Sequence, residues 1–299
     1  YYLSKMYAEF SKIASENPHA WNQTEYQPHE ISNPSPTNKP IAYPYNKLHN
    51  TSWNVNQASA MIIIDEDIAD KLHIPRSKRC YPLASSETNH MVSLIERPNL
   101  ISSTGLNLAA KYINQKFSDY EISPSVVDLY SCFPVAVQQF ENALELSPSI
   151  SKTFTGGMPF AGGPLNNYML HATVQGLLKL RDSQSGTALI TSVSGMMTKQ
   201  AFGLWSFEKI DHFNHLDVSE KAFQTDIPKE INNADAGEAK VIGYTVIFDG
   251  FEPSLGVCYT ENLNGARKVI TSIDKDILED MQKTEWVGKL VKFIDSVII

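Results

Sequence analysis

Short apolar runs alternate with amphipathic, helix-spaced stretches along the first 207 residues, and this alternation constrains the fold more than any other feature. Runs at Ala58–Ile64, Tyr81–Ser85, Val126–Tyr130, Thr187–Val193 and Gly203–Phe207 read as strands. Between them, Glu66–Leu72, Ser103–Lys116, Pro134–Leu144 and Leu165–Leu180 have helical spacing. Ala58–Ile64 is continuously apolar, as a strand buried on both faces would be. Strand and helix in turn predict an α/β sheet covered on both sides. A first helix is expected over Tyr2–Asn17, with Leu3, Met6, Tyr7, Phe10, Ile13 and Ala14 on one face. Asn17-Pro18 ends it, because proline disfavours helical geometry in the residue before it. Prolines at 28, 34, 36, 40 and 44 make the next stretch irregular, and interleaved Trp21, Tyr26, Tyr43 and Tyr45 mark it as an ordered connector.

Beyond Phe207 the texture changes. An acidic, helix-poor segment leads into β-rich runs at Lys240–Asp249, Ser254–Thr260 and Arg267–Ser272, closed by a helix at Lys275–Met281. Asp249-Gly250 and Asn264-Gly265 are hairpin signals. A small additional β-rich domain is therefore expected from residue 208. From Glu208 onward there are 17 acidic and 10 basic residues, a net of −7 within a chain total of −8. No basic stripe is present of the kind a phosphate backbone requires, which argues against nucleic acid and against an oligonucleotide-binding role for the β-rich domain. The apolar runs fall far short of the roughly 20 residues of a membrane helix. Three cysteines, an odd number, suit a reducing compartment, and a cytoplasmic setting is expected. The sequence starts at Tyr1 rather than Met.

Two stretches could carry chemistry. Cys132, in Tyr130-Ser131-Cys132-Phe133-Pro134, stands where a strand hands over to a helix. The partial positive charge of a helix N-terminus favours thiolate, which suits a nucleophile or an acid/base thiol, although a free cysteine is equally a small buried apolar residue. Thr155–Pro164 has glycines at 156, 157, 162 and 163 just before a long helix. Its backbone amides could cradle an oxyanion or admit a thin ligand chain, or its glycines could let the helix pack. Asn166 could cap that helix or reach into a pocket, and His171 lies one turn further along. Asn54 and Asn56, with His49 upstream, form one polar cluster, and Asn89-His90 forms another. No set of residues has metal-ligand spacing.

With these motifs in order, the chain resembles the thiolase superfamily. Tyr130-Ser131-Cys132-Phe133 is similar to the His-Asp-Cys-Phe motif of sterol-carrier-protein-type thiolases, and Gly156–Pro164 to their Gly-Gly…Gly-His-Pro-Leu-Gly motif. Asn54–Ala58 resembles the passage from the first thiolase half to the second, and Leu189–Trp205 the closing strand pair. The most similar group is the type-1 thiolase-like proteins, acetyl-CoA acetyltransferase-like, which carry an extra C-terminal β domain. The resemblance implies three parts: the end of the first half with its loop region (1–77), a layered α/β/α second half (78–207), and a small β-rich, oligonucleotide-binding-like (OB-like) domain (208–299). It implies acyl transfer in lipid metabolism, with coenzyme A or acyl-CoA, or a carrier-linked acyl chain, as ligand and no resident cofactor. Cys132, Tyr130 and His171 would be catalytic, and Gly162, Gly163, Asn166, Asn54, Asn56 and His90 would contact the ligand.

The departures bear on mechanism. Thiolases acylate a cysteine in their first half, upstream of anything similar to Tyr1, so an upstream half is expected and this chain by itself is expected to be inactive. Gly163 stands where the activating histidine would be, Tyr130 replaces the other motif histidine, and Ser192-Val193-Ser194-Gly195 stands for Cys-x-Gly. Losing a general base costs on the order of 10²- to 10⁴-fold, and losing an oxyanion donor about 10²- to 10³-fold. The alternative is a catalytically degenerate protein that binds coenzyme A or an acyl-CoA.

Overall fold

Two sheets organise the chain in the computed structural model, which describes residues 2–299. In order, the elements are α1 (Tyr2–Glu16), α2 (Pro28–Ser32), β1 (Pro40–Ala42), β2 (Tyr45–Asn46), α3 (Glu66–Lys71), β3 (Tyr81–Asn89), α4 (Thr104–Asp119), β4 (Val126–Asp128) and α5 (Pro134–Ala143). There follow α6 (Gly157–Phe160), α7 (Asn167–Ser183), β5 (Thr187–Ser194), β6 (Met196–Ser206), β7 (Asn214–Asp217) and α8 (Ser219–Thr225). The last are β8 (Ala236–Asp249), β9 (Glu252–Glu261), β10 (Arg267–Ser272), α9 (Lys275–Lys283), β11 (Leu290–Ile294) and β12 (Val297–Ile298).

The helices form where local chemistry asks for them. α1 buries Met6, Tyr7, Phe10 and Ala14, the stripe its spacing predicts. The Ser103 hydroxyl accepts the Leu106 N–H at the start of α4, and Asp65 accepts the Asp67 N–H at the start of α3. α5 opens on Pro134, whose missing N–H costs nothing in a first turn.

The first sheet has the order β4-β5-β6-β3-β7. β4 runs parallel to β5, and β3 parallel to β7, while β6 is antiparallel to both β5 and β3. β3, β4, β5 and β7 therefore point the same way. On β3, Ser86 donates to the Ala109 carbonyl of α4 and Thr88 abuts Gly105 of the same helix. On β5, Ala188 and Ile190 lie against Gly176 of α7. Ser86 pairs through Phe202 with Thr191, whereas Ile190 belongs to the neighbouring row, so α4 and α7 cover opposite faces. Tyr7, Leu106, Ile113, Phe140, Leu189 and Phe202 lie in this first core.

The second sheet has the order β11-β12-β10-β9-β8-β1-β2, and β11 also pairs with the first half of β8. The added pairing closes β8, β9, β10, β12 and β11 into a circuit, with Val241, Val246, Cys258, Ile270, Met281 and Phe293 inside. Both hairpins expected at Asp249-Gly250 and Asn264-Gly265 form, and both glycines have positive φ.

Several expectations need correction. Ala58–Ile64 is not a strand: the segment has no ladder partner among the described residues, and Ile62 and Ile63 are 86% and 79% exposed. An apolar run becomes a strand only where a sheet edge offers its N–H and C=O groups partners, and no described edge meets this one. The strand expected at Gly203–Phe207 is the end of the longer β6. The proline-rich connector contributes β1 and β2 to the second sheet, where the Tyr43 N–H bonds the Val246 carbonyl at 2.8 Å. The polar β7 and the short α8, both beyond residue 208, pack with the first sheet. β11 and β12 are further strands the pattern did not reveal.

Candidate functional site

The parallel strands bring most of the motifs to one edge of the first sheet. Tyr130–Cys132 follow β4, Ser192–Gly195 end β5, and Asn89 ends β3 with His90 after it, all at carboxyl ends. In open α/β sheets this is the edge where ligands bind.

β4 ends on Asp128, which is wholly buried. One carboxylate oxygen accepts the Tyr168 hydroxyl at 2.6 Å, and the other accepts the hydroxyls of Thr153 at 2.8 Å and Thr155 at 2.9 Å. Burial raises this carboxyl above the ordinary carboxylate range, against the pull of the three hydroxyls. The network ties the root of the glycine loop to the strand. Further on, the Tyr130 N–H donates to Thr191 Oγ1 at 2.8 Å, and Ser131 Oγ accepts the Met158 N–H at 2.9 Å.

Cys132 follows directly, just ahead of α5. Backbone N–H groups of Phe133 and of Cys132 itself favour its thiolate, but burial outweighs them and pushes the thiol up to about 12. The thiolate that a helix start favours is therefore opposed here by burial. The Tyr130 hydroxyl is likewise driven up to about 12, by burial and then by the neighbouring Cys132. Tyr7 lies in the same neighbourhood, fully buried, its hydroxyl without a hydrogen-bond partner among the described residues.

The glycine loop is not an open cradle. Residues 153–163 are all buried, and the segment around Thr51 and Ser52 is seated against them. Gly163 donates its N–H to the Ser52 carbonyl at 2.8 Å, and Ser52 donates its own N–H to Met158 O at 3.2 Å. Thr51 bonds the Cys132 carbonyl through both its N–H and its hydroxyl, at 3.2 and 3.3 Å. Cys132 and Gly163 thus stand on either side of Thr51-Ser52, and the Gly163 amide, expected to be free for an oxyanion, is engaged. Close packing explains the glycines: a Cβ on Gly162 would meet Val55 at 2.9 Å, and one on Gly163 would meet Met158 at 2.6 Å and Thr51 at 2.8 Å.

α7 begins after the loop, with the exposed Asn166 at its cap position. Of the two roles expected for it, its side chain does not take the capping one; Asn167 instead donates to Gln57 Oε1 at 3.0 Å. Gln57 also donates to the Gly162 carbonyl at 3.1 Å, fastening the connector over the loop. His171 is buried and bonds Gln175 one turn on, and Asn17 reaches Gln175 and the Thr155 carbonyl. Burial and the nearby His19 lower the His171 imidazole to about 4. Tyr168 bridges the two sides, its ring centroid 5.8 Å from Tyr130 and 6.5 Å from His171.

The remaining candidates stand apart. Asn54 and Asn56 are exposed on the irregular connector. His90 lies three strands from β4 in sheet order, edge-on to Phe223 at 5.8 Å and 4.0 Å from Asp226. His49 sits in the first core, packed on Tyr7 and Tyr45, where burial lowers it to about 4. Among the described residues no His, Cys, Asp and Glu gather as metal ligands would. No described helix is long and apolar enough to cross a membrane.

Asp128 is the group that motif reading overlooked. Its signal was present: a carboxylate inside the apolar run Val126-Val127-Asp128-Leu129 must be hydrogen-bonded if that run is a buried strand. Thr51-Ser52 left no such signal, because nothing local marks a polar pair that will lie between a thiol and a glycine loop.

No protein-family model matches the sequence, and no curated protein matches it. Among solved structures, the chain is similar to a monomeric SCP2-thiolase like protein type 1 from Mycobacterium smegmatis, with a TM-score of 0.87 and 24% identity. The likeness covers 100% of this chain and 67% of that one. At this identity, with the topology followed from end to end, the comparison establishes the architecture: the chain has a thiolase-like fold.

Proposed function

We propose that this chain is the acyl-CoA-holding portion of a thiolase-like protein, and that by itself it binds coenzyme A or an acyl-CoA without transferring the acyl group. In this reading residues 1–77 finish a first thiolase half, 78–207 together with β7 and α8 form the layered α/β/α second half, and the sheet from β8 onward, extended by β1 and β2, is an added OB-like domain. An upstream half would supply the acylated cysteine, in an acyltransferase of lipid metabolism.

The observation that carries the reading is geometric: Thr51-Ser52 are seated between Cys132 and the glycine loop, and the Ser52 carbonyl holds the Gly163 N–H that an oxyanion would need. The shifts of the nearby titratable groups agree with it. At neutral pH Cys132 is a thiol and Tyr130 a phenol, each pushed up to about 12, while His171 is a neutral imidazole lowered to about 4. Efficient general-base catalysis needs a group poised near the working pH, and none of the three is. A second reading keeps acyl transfer with Cys132 as an acid/base thiol, and is favoured by its place at the start of α5, where the backbone N–H groups of Phe133 and Cys132 act against burial.

Calorimetric titration with coenzyme A, acetyl-CoA and a long-chain acyl-CoA tests the first reading. The expected result is saturable binding, with no acyl transfer above the Cys132→Ala background. Absence of binding to every coenzyme A ester overturns it. Turnover that collapses on Cys132→Ala moves the case to the second reading.

A further inference from the structure

Of the four buried side-chain polar atoms without a hydrogen-bond partner among the described residues, three lie where the paired ends of β3 and β6 meet the start of α4: Thr88 Oγ1, His90 Nδ1 and Thr198 Oγ1. β3 and β6 pair Thr88 with Gln200 and Asn89 with Lys199, and one step further along that register sets Thr198 opposite His90. His90 and Thr198 are 5% and 2% exposed, so this chain encloses them by itself. A buried polar atom left unpaired carries a desolvation cost that folded proteins rarely leave standing.

The three atoms are not alike. Thr88 is pressed against Gly105 in the first turn of α4. His90 Nδ1 instead faces Asp226 Oδ2 across 4.0 Å. That separation is too long for a direct hydrogen bond, and one bridging water with bonds of about 2.8 Å on each side spans it. Asp226 is itself fixed, because its carboxylate accepts the Thr104 hydroxyl and, at 3.2 Å, the Thr104 N–H at the first residue of α4. Its own N–H bonds the Ala222 carbonyl of α8, and Phe223 of α8 lies edge-on to the His90 ring. The occupant of this space must be small, and it must donate to a carboxylate while suiting a hydroxyl and an imidazole nitrogen. An anion would be repelled by Asp226, and a transition metal would find no third ligand of the His, Cys, Asp or Glu type among the described residues. Water meets every demand, and three partners is the number a buried water typically has.

We infer that His90 Nδ1, Thr198 Oγ1 and Asp226 Oδ2 hold one internal water, and that this water latches α8 and the passage toward β8 onto the carboxyl edge of the first sheet. The site lies away from Cys132 and the glycine loop and does not rest on the coenzyme A reading.

A high-resolution crystal structure of this chain tests the site directly. One ordered water is expected within about 3.2 Å of all three atoms. Direct contact between His90 and Asp226, or no density between them, overturns the inference. In solution, Thr198→Val removes the hydroxyl at nearly constant shape, and the sign of its effect decides. If the hydroxyl bonds a water, amide exchange over residues 219–226 should speed about twofold to tenfold, the worth of one hydrogen bond. If the hydroxyl is unpaired, its removal relieves a desolvation cost; slower exchange there, or a raised urea midpoint, overturns the inference. Thr198→Ser keeps the hydroxyl and should exchange like the wild type. Exchange as fast in Thr198→Ser as in Thr198→Val assigns the effect to lost methyl packing and overturns the inference too.

Discussion

His49 and His171 are each held at about 4 by burial, against an ordinary 6.5. On acidification the unfolded chain takes up these protons first, so stability is intact above pH 6.5 and falls as pH drops toward 4. Each histidine can account for up to about 3 kcal/mol across that window. Asp280, held low first by Lys289, and Asp217, held low first by Ser219, act below this window. Asp128 has the opposite slope: its folded value is raised, so its contribution is lost as pH rises above the ordinary aspartate range. Urea midpoints at pH 7.5 and 4.5 should therefore differ, and His171→Gln should shrink the difference by about half. An unchanged slope in that variant would mean the imidazole is not buried. Cys132 gives a kinetic counterpart: alkylation at pH 8 should be far slower in the folded protein than in urea, since the thiol is pushed up to about 12. Equal rates would contradict its burial.

At the scale of elements, the glycine loop is anchored from two sides. α1 lies so close that a Cβ on Gly156, where φ is +101°, would sit 2.4 Å from the Ala14 Cβ and 2.7 Å from its Cα. Gly156→Ala should cost at least about 3 kcal/mol, combining overpacking with left-handed strain. Gly195, at the turn from β5 to β6, also has positive φ, but nothing lies within 4 Å of an added Cβ. Gly195→Ala should cost only about 1–2 kcal/mol, the strain alone. Comparable urea midpoints for the two variants would remove the argument that α1 seats the loop. Asp128→Ala should cost about 2–4 kcal/mol by removing the buried acceptor that Thr153, Thr155 and Tyr168 share, and Asp128→Asn less. Both are readable from the same unfolding curves.

Across the whole molecule, the connections that join the sheets include two built from named groups. One is the β1–β2 pair on the edge of β8, where Ala42 faces Ile247. The other is Arg267 of β10, buried, bonded to Glu261 at 2.9 Å and to the carbonyls of Ile95, Arg97 and Pro98 ahead of α4. Its planar fork holds five N–H donors in a fixed geometry, which a lysine, a point charge with three donors, does not match. Arg267→Ala should lose about 2–4 kcal/mol, and denaturation followed by near-ultraviolet dichroism should become two-step as the sheets uncouple. Arg267→Lys should not restore a single step. A single transition of unchanged midpoint in Arg267→Ala would show that the remaining connections suffice.

Periodicity and turn chemistry are local, and they were enough for the amphipathic helices and both glycine-turn hairpins. The motif positions at Tyr130–Cys132 and Gly156–Pro164 were likewise legible, because strand ends and helix starts carry their own residue types. What the apolar run at 58–64 would do was not legible, since a strand exists only through a partner elsewhere in the chain. The same holds for β7, β11 and β12, whose short or polar sequences become strands by lying on an edge. Whether the loop amides were free and whether the Cys132 thiol ionised depended on Thr51-Ser52 and on burial. Solvation and the position of distant groups set both, and neither is a property of neighbouring residues in sequence.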